Sequence, residues 1–240
     1  NHGTAVLGEI VSKSQDYGTV GIARDAKAVV HSAVINNVFN TAGAIAGATA
    51  RLKAGDVILI ELQATGPNRK YVAMQYWPDV FAAIVAATAK GITVVEAAGN
   101  GNENFDLPIF HGSGLQKDSG AIVVGAGIPP TDFFDIDGAY ANIGVPRSRI
   151  WFSNYGRIVN VQGWGWHVTT CGYGDAQGGP KEERWYTHRF SGTSSASPIV
   201  TGAVACLQGV AKAGGGSPLA PAKVRAILMR SGTPQEPGPG

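Results

Sequence analysis

Three short apolar runs do most to limit how this chain can fold: DVILIEL at 56–62, ITVVEAAGN at 92–100 and AIVVGAG at 121–127. Their apolar residues follow one another without alternation, as in strands buried on both faces. Helical patterns separate them. AIAGATARLKAG (44–55) reads as a helix closed by Gly55, and DVFAAIVAATAKG (79–91) as a second helix, also stopped by a glycine. Strand, helix, strand, helix, strand predicts a parallel sheet with crossover helices, and so an α/β fold. AVVHSAVI (28–35) and RIVNVQG (157–163) read as further strands, and more helices are expected after His2, over Ser194–Lys212 and over Ala220–Arg230.

Composition narrows the class. Glycine is 34 of 240 residues and charged residues are 15%, which suits a compact core with tight turns and not a disordered chain. Residues 128–190 are loop-rich, with 157–163 as their one expected strand. Residues 1–231 read as one domain and GTPQEPGPG (232–240) as a Pro/Gly-rich tail or linker. A net charge of +2 without a run of Lys and Arg argues against a nucleic-acid partner. No apolar run approaches the ~20 residues of a membrane span. The chain starts with neither Met nor a signal peptide, so it reads as a mature form, a fragment or the ordered part of a longer product. Cys171 and Cys206 allow one disulfide or two thiols, and both options stay open.

In open parallel sheets, sites gather in the loops beyond the carboxyl ends of the strands. ELQATGPN and AAGNGNENFD occupy such places. The richest stretch is FSGTSSASPIVTGAVA (190–205), where Ser194 stands at the start of a small-residue helix. A hydroxyl there faces unpaired N–H groups and the positive end of the helix dipole, which can stabilise an oxyanion. Taken alone, it reads as an ordinary helix cap. Pro198 lies near the first turn, where a missing N–H costs least. A serine needs a base, and His2, at the head of GTAVLGEI, is the candidate; His31, His111, His167 and His188 read as structural. Asn100 follows a buried strand, and its amide is a possible oxyanion donor.

HGTAVLG, AAGNG and GTSSASPIVTGAVA, in this order, resemble the subtilisin-like serine proteases, the subtilase family, from residue 1 to about 231. The serine motif is highly specific; the histidine motif has Ala5 where the family usually has a second histidine. The resemblance implies a three-layer α/β/α fold with a mainly parallel sheet, and a serine endopeptidase working through an acyl-enzyme. Ser194 would be the nucleophile, His2 the general base, and Asn100 with the Ser194 N–H the oxyanion donors. Glu61, Leu62 and Gln63, where the family usually has Ser-Leu-Gly, would open the segment that pairs with an extended protein or peptide substrate. Ala97, Ala98 and Gly99 would form the other wall of the pocket. Glu61 admits two readings: a structural carboxylate, or a specificity or proton-handling group beside His2.

In subtilases an aspartate on the first strand orients the histidine. Nothing here precedes His2 except Asn1, and Asp16, Asp25, Asp56 and Asp79 stand in no matching context. The expected partner is therefore an N-terminal segment carrying the catalytic Asp, without which the chain should be weak or inactive; loss of this aspartate in subtilisin lowers turnover about 3 × 10⁴-fold. The competing reading is an impaired scaffold that grips extended peptides without cutting them. No cofactor is required. Calcium is the one candidate metal, at SKSQDYGTVG (12–21), where Gln15, Asp16 and carbonyls offer oxygens, or at NENFD (102–106). Trp151, Trp164, Trp166 and Trp185, with Tyr186, either cover the core or line a groove for bulky side chains. The family resemblance also implies secretion.

Overall fold

A computed structural model describes residues 1–13, 16–130 and 143–238. The chain runs α1 (His2–Val11), β1 (Val34–Ile35), β2 (Val38–Phe39), α2 (Thr41–Arg51), β3 (Val57–Ile60), β4 (Gln63–Thr65), β5 (Tyr71–Ala73), α3 (Pro78–Ala89) and β6 (Thr93–Ala97). It continues β7 (Ile122–Gly127), β8 (Val159–Trp164), β9 (Val168–Cys171), β10 (Tyr186–Phe190), α4 (Thr193–Ala213) and α5 (Pro221–Ser231). The central sheet is four parallel strands in the order β3-β6-β7-β8.

Alternation along the strands builds the layers. Ile58, Ile60 and Val94 face one core with Ile45 and Ala48 of α2 and Val80 and Ile84 of α3. Val95, Ile122, Val124 and Ala126 face the other, against Ala196, Val200 and Val204 of α4 and Val224 of α5. Burial of such side chains stabilises by roughly 1.5–3 kcal/mol each, so the two cores hold the three-layer α/β/α arrangement expected from the resemblance. α4 is the one helix, among the described residues, long and apolar enough to cross a membrane by length and composition; half of its apolar window is buried here.

Four expectations need correction. Of 28–35 only Val34–Ile35 is strand, pairing with β2; Val29 and Val30 are each 71% exposed. β-branched residues favour strands only where a neighbour supplies the ladder. The 44–55 helix ends at Arg51, and Gly55 (φ +83°) instead turns the chain into β3. The loop-rich middle holds a second pairing, the antiparallel β9–β10. Its strands approach α1 so closely that a Cβ on Gly8 would lie 2.3 Å from Thr170 Oγ1. Pro198 sits in the second turn of α4, not the first, and its missing N–H leaves the Ser194 carbonyl without a helical donor. Both cysteines are free thiols. After α5 the chain returns to Ser148, where Glu236 pairs with Arg147.

Candidate active site

The carboxyl ends of β3 and β6 and the start of α4 meet in one place. Gly192, the N-cap of α4, has φ +110°, a backbone state glycine tolerates. It sends Thr193 into the helix with both polar groups toward Asn100. Asn100 Oδ1 accepts from Thr193 N (2.9 Å) and Thr193 Oγ1 (2.9 Å). That pair of donors settles which end of the amide is oxygen, so Nδ2 faces the other way. A Cβ on Gly192 would lie 3.1 Å from Asn100 Nδ2 and 3.5 Å from Ser194 N. The absent side chain therefore leaves a small space flanked by two N–H donors.

The loop carrying Asn100 is held from three sides. Ala98 N donates to Val124 O (2.9 Å), continuing the sheet, and Gly99 N to Thr193 Oγ1 (3.2 Å). Asn154 fastens the loop: Nδ2 donates to Ala98 O (2.7 Å) and Tyr71 O (2.8 Å), and Oδ1 accepts from Gly101 N and Glu103 N. Gly99 (φ +90°) permits this, since a Cβ there would come 2.9 Å from Asn154 Nδ2. Gln63 Oε1 accepts from Asn100 N (3.0 Å), which ties the two expected walls of the substrate cleft together. Ala97 and Ala98 are buried, and Leu62 packs on the α2–α3 core.

His2 opens α1, its ring edge-on to Phe190 at 5.5 Å. Desolvation, then the Asn1 ammonium, lower its pKa, so the neutral imidazole prevails at neutral pH. His2 shares with Glu61 a groove of about 890 Å³ that runs between α1, residues 26–33, α2 and β3. Among the described residues no strand occupies this edge of β3. Glu61 Oε2 lies 2.7 Å from Ser197 Oγ, and the Ser194 side chain is near enough to draw the Glu61 pKa down. Ser194 N and Asn100 Nδ2 thus flank one space over Gly192, and Glu61 shares its groove with His2; among the described residues no hydrogen bond joins His2 to Ser194.

Two expected features lie apart. Gln15 is outside the described residues, and among those described no three His, Cys, Asp or Glu side chains gather as a metal site. In 102–106, Glu103 pairs with Lys70 and Asp106 with Arg157. The aromatic residues divide: Phe152 packs on Trp166, which stacks on His167, whereas Trp151 and Trp164 are 64% and 49% exposed.

The subtilase family model matches residues 1–239. The chain belongs to the subtilase family. Solved structures agree on the fold of this subtilase. A protease from Pseudoalteromonas arctica is 22% identical with TM-score 0.69, over 98% of this chain and 64% of that one. The self-cleaved protease domain of PatA is 23% identical, TM-score 0.67, over 97% and 76%. The PatG macrocyclase in complex with peptide is 22% identical, TM-score 0.63, over 98% and 60%. The subtilase thus spans less than two thirds of the first of these chains. No curated protein matches it.

Thr193, Gly192 and Asn154 were not singled out by sequence. The Thr and Gly stand inside the serine motif, but only the fold reveals that they aim the Asn100 amide. Asn154 carries no sequence signal of its own.

Proposed function

We propose that this subtilase is a serine endopeptidase. Ser194 Oγ attacks the scissile carbonyl while His2 takes its proton. The negative charge moves to the carbonyl oxygen, between Asn100 Nδ2 and Ser194 N. His2 then protonates the leaving amine, and water, activated by the same imidazole, releases the acyl group from Ser194. An extended peptide would lie along residues 61–65 and 97–99. β4 supports this, because its pairing with β5 leaves its other edge free of any described strand. The observation that carries the reading is the Asn100 amide, anchored through Oδ1 so that its donor end faces the space over Gly192.

The imidazole has no carboxylate partner among the described residues. We propose that a further parallel strand adds to the free edge of β3, fills the groove and brings a carboxylate to His2. A strand there would pair with β3 as β6 does and cover Val29 and Val30. Calcium at 12–21 is a lesser proposal, resting on Asp16 and the loop carbonyls; a calcium-dependent rise in Tm tests it.

A second reading is a scaffold that binds extended peptides without cleaving them. It is favoured by His2 standing without an orienting partner and by Ser194 lying beside Glu61. Active-site-directed fluorophosphonate separates the two. The endopeptidase should gain one adduct, on Ser194, lost in Ser194→Ala and slowed in His2→Ala. A chain that stays unlabelled at every pH, with or without an added strand, is a scaffold.

A further inference from the structure

Two carboxyl groups, Glu61 and Glu9, are buried on the His2 side of the site, and the reaction outlined above uses neither. Glu9 of α1 is 7% exposed and both its oxygens lack a hydrogen-bond partner; Glu61 Oε1 is likewise buried without a close one. The contacts of Ser197 indicate the protonation state of Glu61. Ser197 Oγ lies 2.9 Å from Thr193 O and 2.7 Å from Glu61 Oε2. A hydroxyl has one proton, and the Thr193 carbonyl can only accept it. The short second contact is satisfied when the proton is on Glu61: its O–H donates to Ser197 Oγ, and Ser197 donates onward to Thr193 O. A buried carboxylate would instead compete with the carbonyl for a single hydrogen and carry an uncompensated charge.

We infer that Glu61 is a positioning residue for Ser194, acting through its protonation state. As the neutral acid it ties the end of β3 to the first turns of α4 and leaves the Ser194 hydroxyl free to give its proton to His2. As the carboxylate it is the stronger acceptor, turns the Ser194 hydroxyl toward itself and holds it from the imidazole. The inference rests on the reading of Ser194 as the nucleophile, and adds to it a proton switch beneath that residue.

The surroundings agree. Burial pushes Glu61 up to about 8, against the pull of hydrogen bonds from Ser197 and Ser194. Burial, then the charge on Glu61, pushes Glu9 up to about 10, so Glu61 ionises first. Glu9 on α1 feels the charge of Glu61, and His2 on α1 lines the same groove; α4 places the hydroxyls of Ser197 and Ser194 near the carboxyl. Lys27, His31, Arg51, Asp56 and Lys212 line the same groove without a hydrogen bond to Glu61. No described cation therefore pairs with the carboxylate when it forms.

The test is the rate of fluorophosphonate labelling of the full chain from pH 6 to 10, with rates compared within each variant. If only the neutral Glu61 form reacts, the wild-type rate at pH 9.5 should be about 30-fold below its plateau. Glu61→Gln, whose amide can donate to Ser197 and accept from Ser194, should lose that alkaline fall. Glu9→Gln should keep it. An alkaline fall that persists in Glu61→Gln, or vanishes only in Glu9→Gln, overturns the inference while leaving Ser194 the nucleophile. A wild type that never labels overturns the nucleophile and the inference together. Infrared difference spectra between pH 7 and 9.5 give a second readout, compared between wild type and Glu61→Gln because Glu96 also titrates near 8. A protonated-carboxyl band lost in the wild type and absent from Glu61→Gln supports the inference, and identical spectra, or no protonated carboxyl at pH 7, contradict it.

Discussion

The two sides of Ser194 are built differently. On the Asn100 side the groups that hold the amide in place are partnered: Thr193 holds Oδ1, Asn154 holds the loop, and Gln63 caps the Asn100 N–H, while Nδ2 faces the space over Gly192. On the His2 side the partners are missing. Among the described residues the imidazole has no carboxylate, Glu9 has two oxygens without a hydrogen-bond partner, Glu61 has one, and the valines at 29 and 30 face solvent beside an unpaired strand edge. Buried polar groups without partners cost about 1–3 kcal/mol each. The contrast teaches that the proposed oxyanion half is held by bonds among the described residues, while the proposed base half leaves an open strand edge and unpartnered carboxyls.

The largest expected effect breaks the contrast by completing the weaker side. Adding a β-strand segment that ends in Asp should raise kcat about 10⁴-fold. The same segment ending in Asn should raise Tm through binding but leave kcat low. If both segments change neither quantity, the groove is no strand site.

On the complete side, Asn100→Ala should lower kcat by about 10²–10³ with little change in KM, because the donor acts on charge present only in the transition state. Gly192→Ala should cost at least as much, since its Cβ would enter the space between the two donors. A large rise in KM with unchanged kcat for either variant would place the oxyanion elsewhere.

Stability against pH sharpens the comparison next. Glu9, Glu61 and Glu96 are raised from 4.5 to about 10, 8 and 8, each mainly by burial. A raised carboxyl keeps its proton in the folded state when the unfolded chain has released it. Stability from these groups is therefore full below pH 4.5 and falls as pH rises toward the folded values. The slope is about 1.4 kcal/mol per pH unit for each group. Denaturant titrations at pH 5 and pH 8 should show the fall. Glu96→Gln should flatten it by one group's share, Glu61→Gln by another. A curve that rises from pH 5 to 8 would mean that these carboxyls are ionised and paired.

The smallest effect falls on the hydrogen bonds that aim Asn100. Thr193→Val removes the Oγ1 contacts to Asn100 Oδ1 and Gly99 N but keeps the backbone donor. A loss of about 1 kcal/mol, five- to tenfold in kcat, is expected. A loss as large as that of Asn100→Ala would mean that the backbone bond alone cannot hold the amide.

Sequence was most informative where the chemistry depends on local pattern. β3, β6 and β7 were legible because continuous apolar runs fit only strands covered on both faces, and α3 and α4 because small and apolar residues recur at helical spacing. His2, Asn100 and Ser194 could be put forward from sequence because three motifs occur in one order. What escaped depends on long-range contact. VTTC and YTHRF form β9 and β10 although they are short and mixed in polarity, since they are stabilised by pairing with each other and by Thr170 Oγ1 bonding to Ala5 O at 2.6 Å. The 28–33 run has strand propensity, but among the described residues no strand pairs with it. Asn154 acts on residues 56 and 83 positions away, which no local reading can find.

The central claim is that Asn100 Nδ2 and Ser194 N together receive the oxyanion. The most direct measurement is a crystal structure of the phosphonate adduct on Ser194. The phosphoryl oxygen should lie about 2.7–3.1 Å from both nitrogens, with Asn100 Oδ1 still bonded to Thr193. A phosphoryl oxygen turned to solvent or toward Glu61, with Asn100 uninvolved, would contradict it.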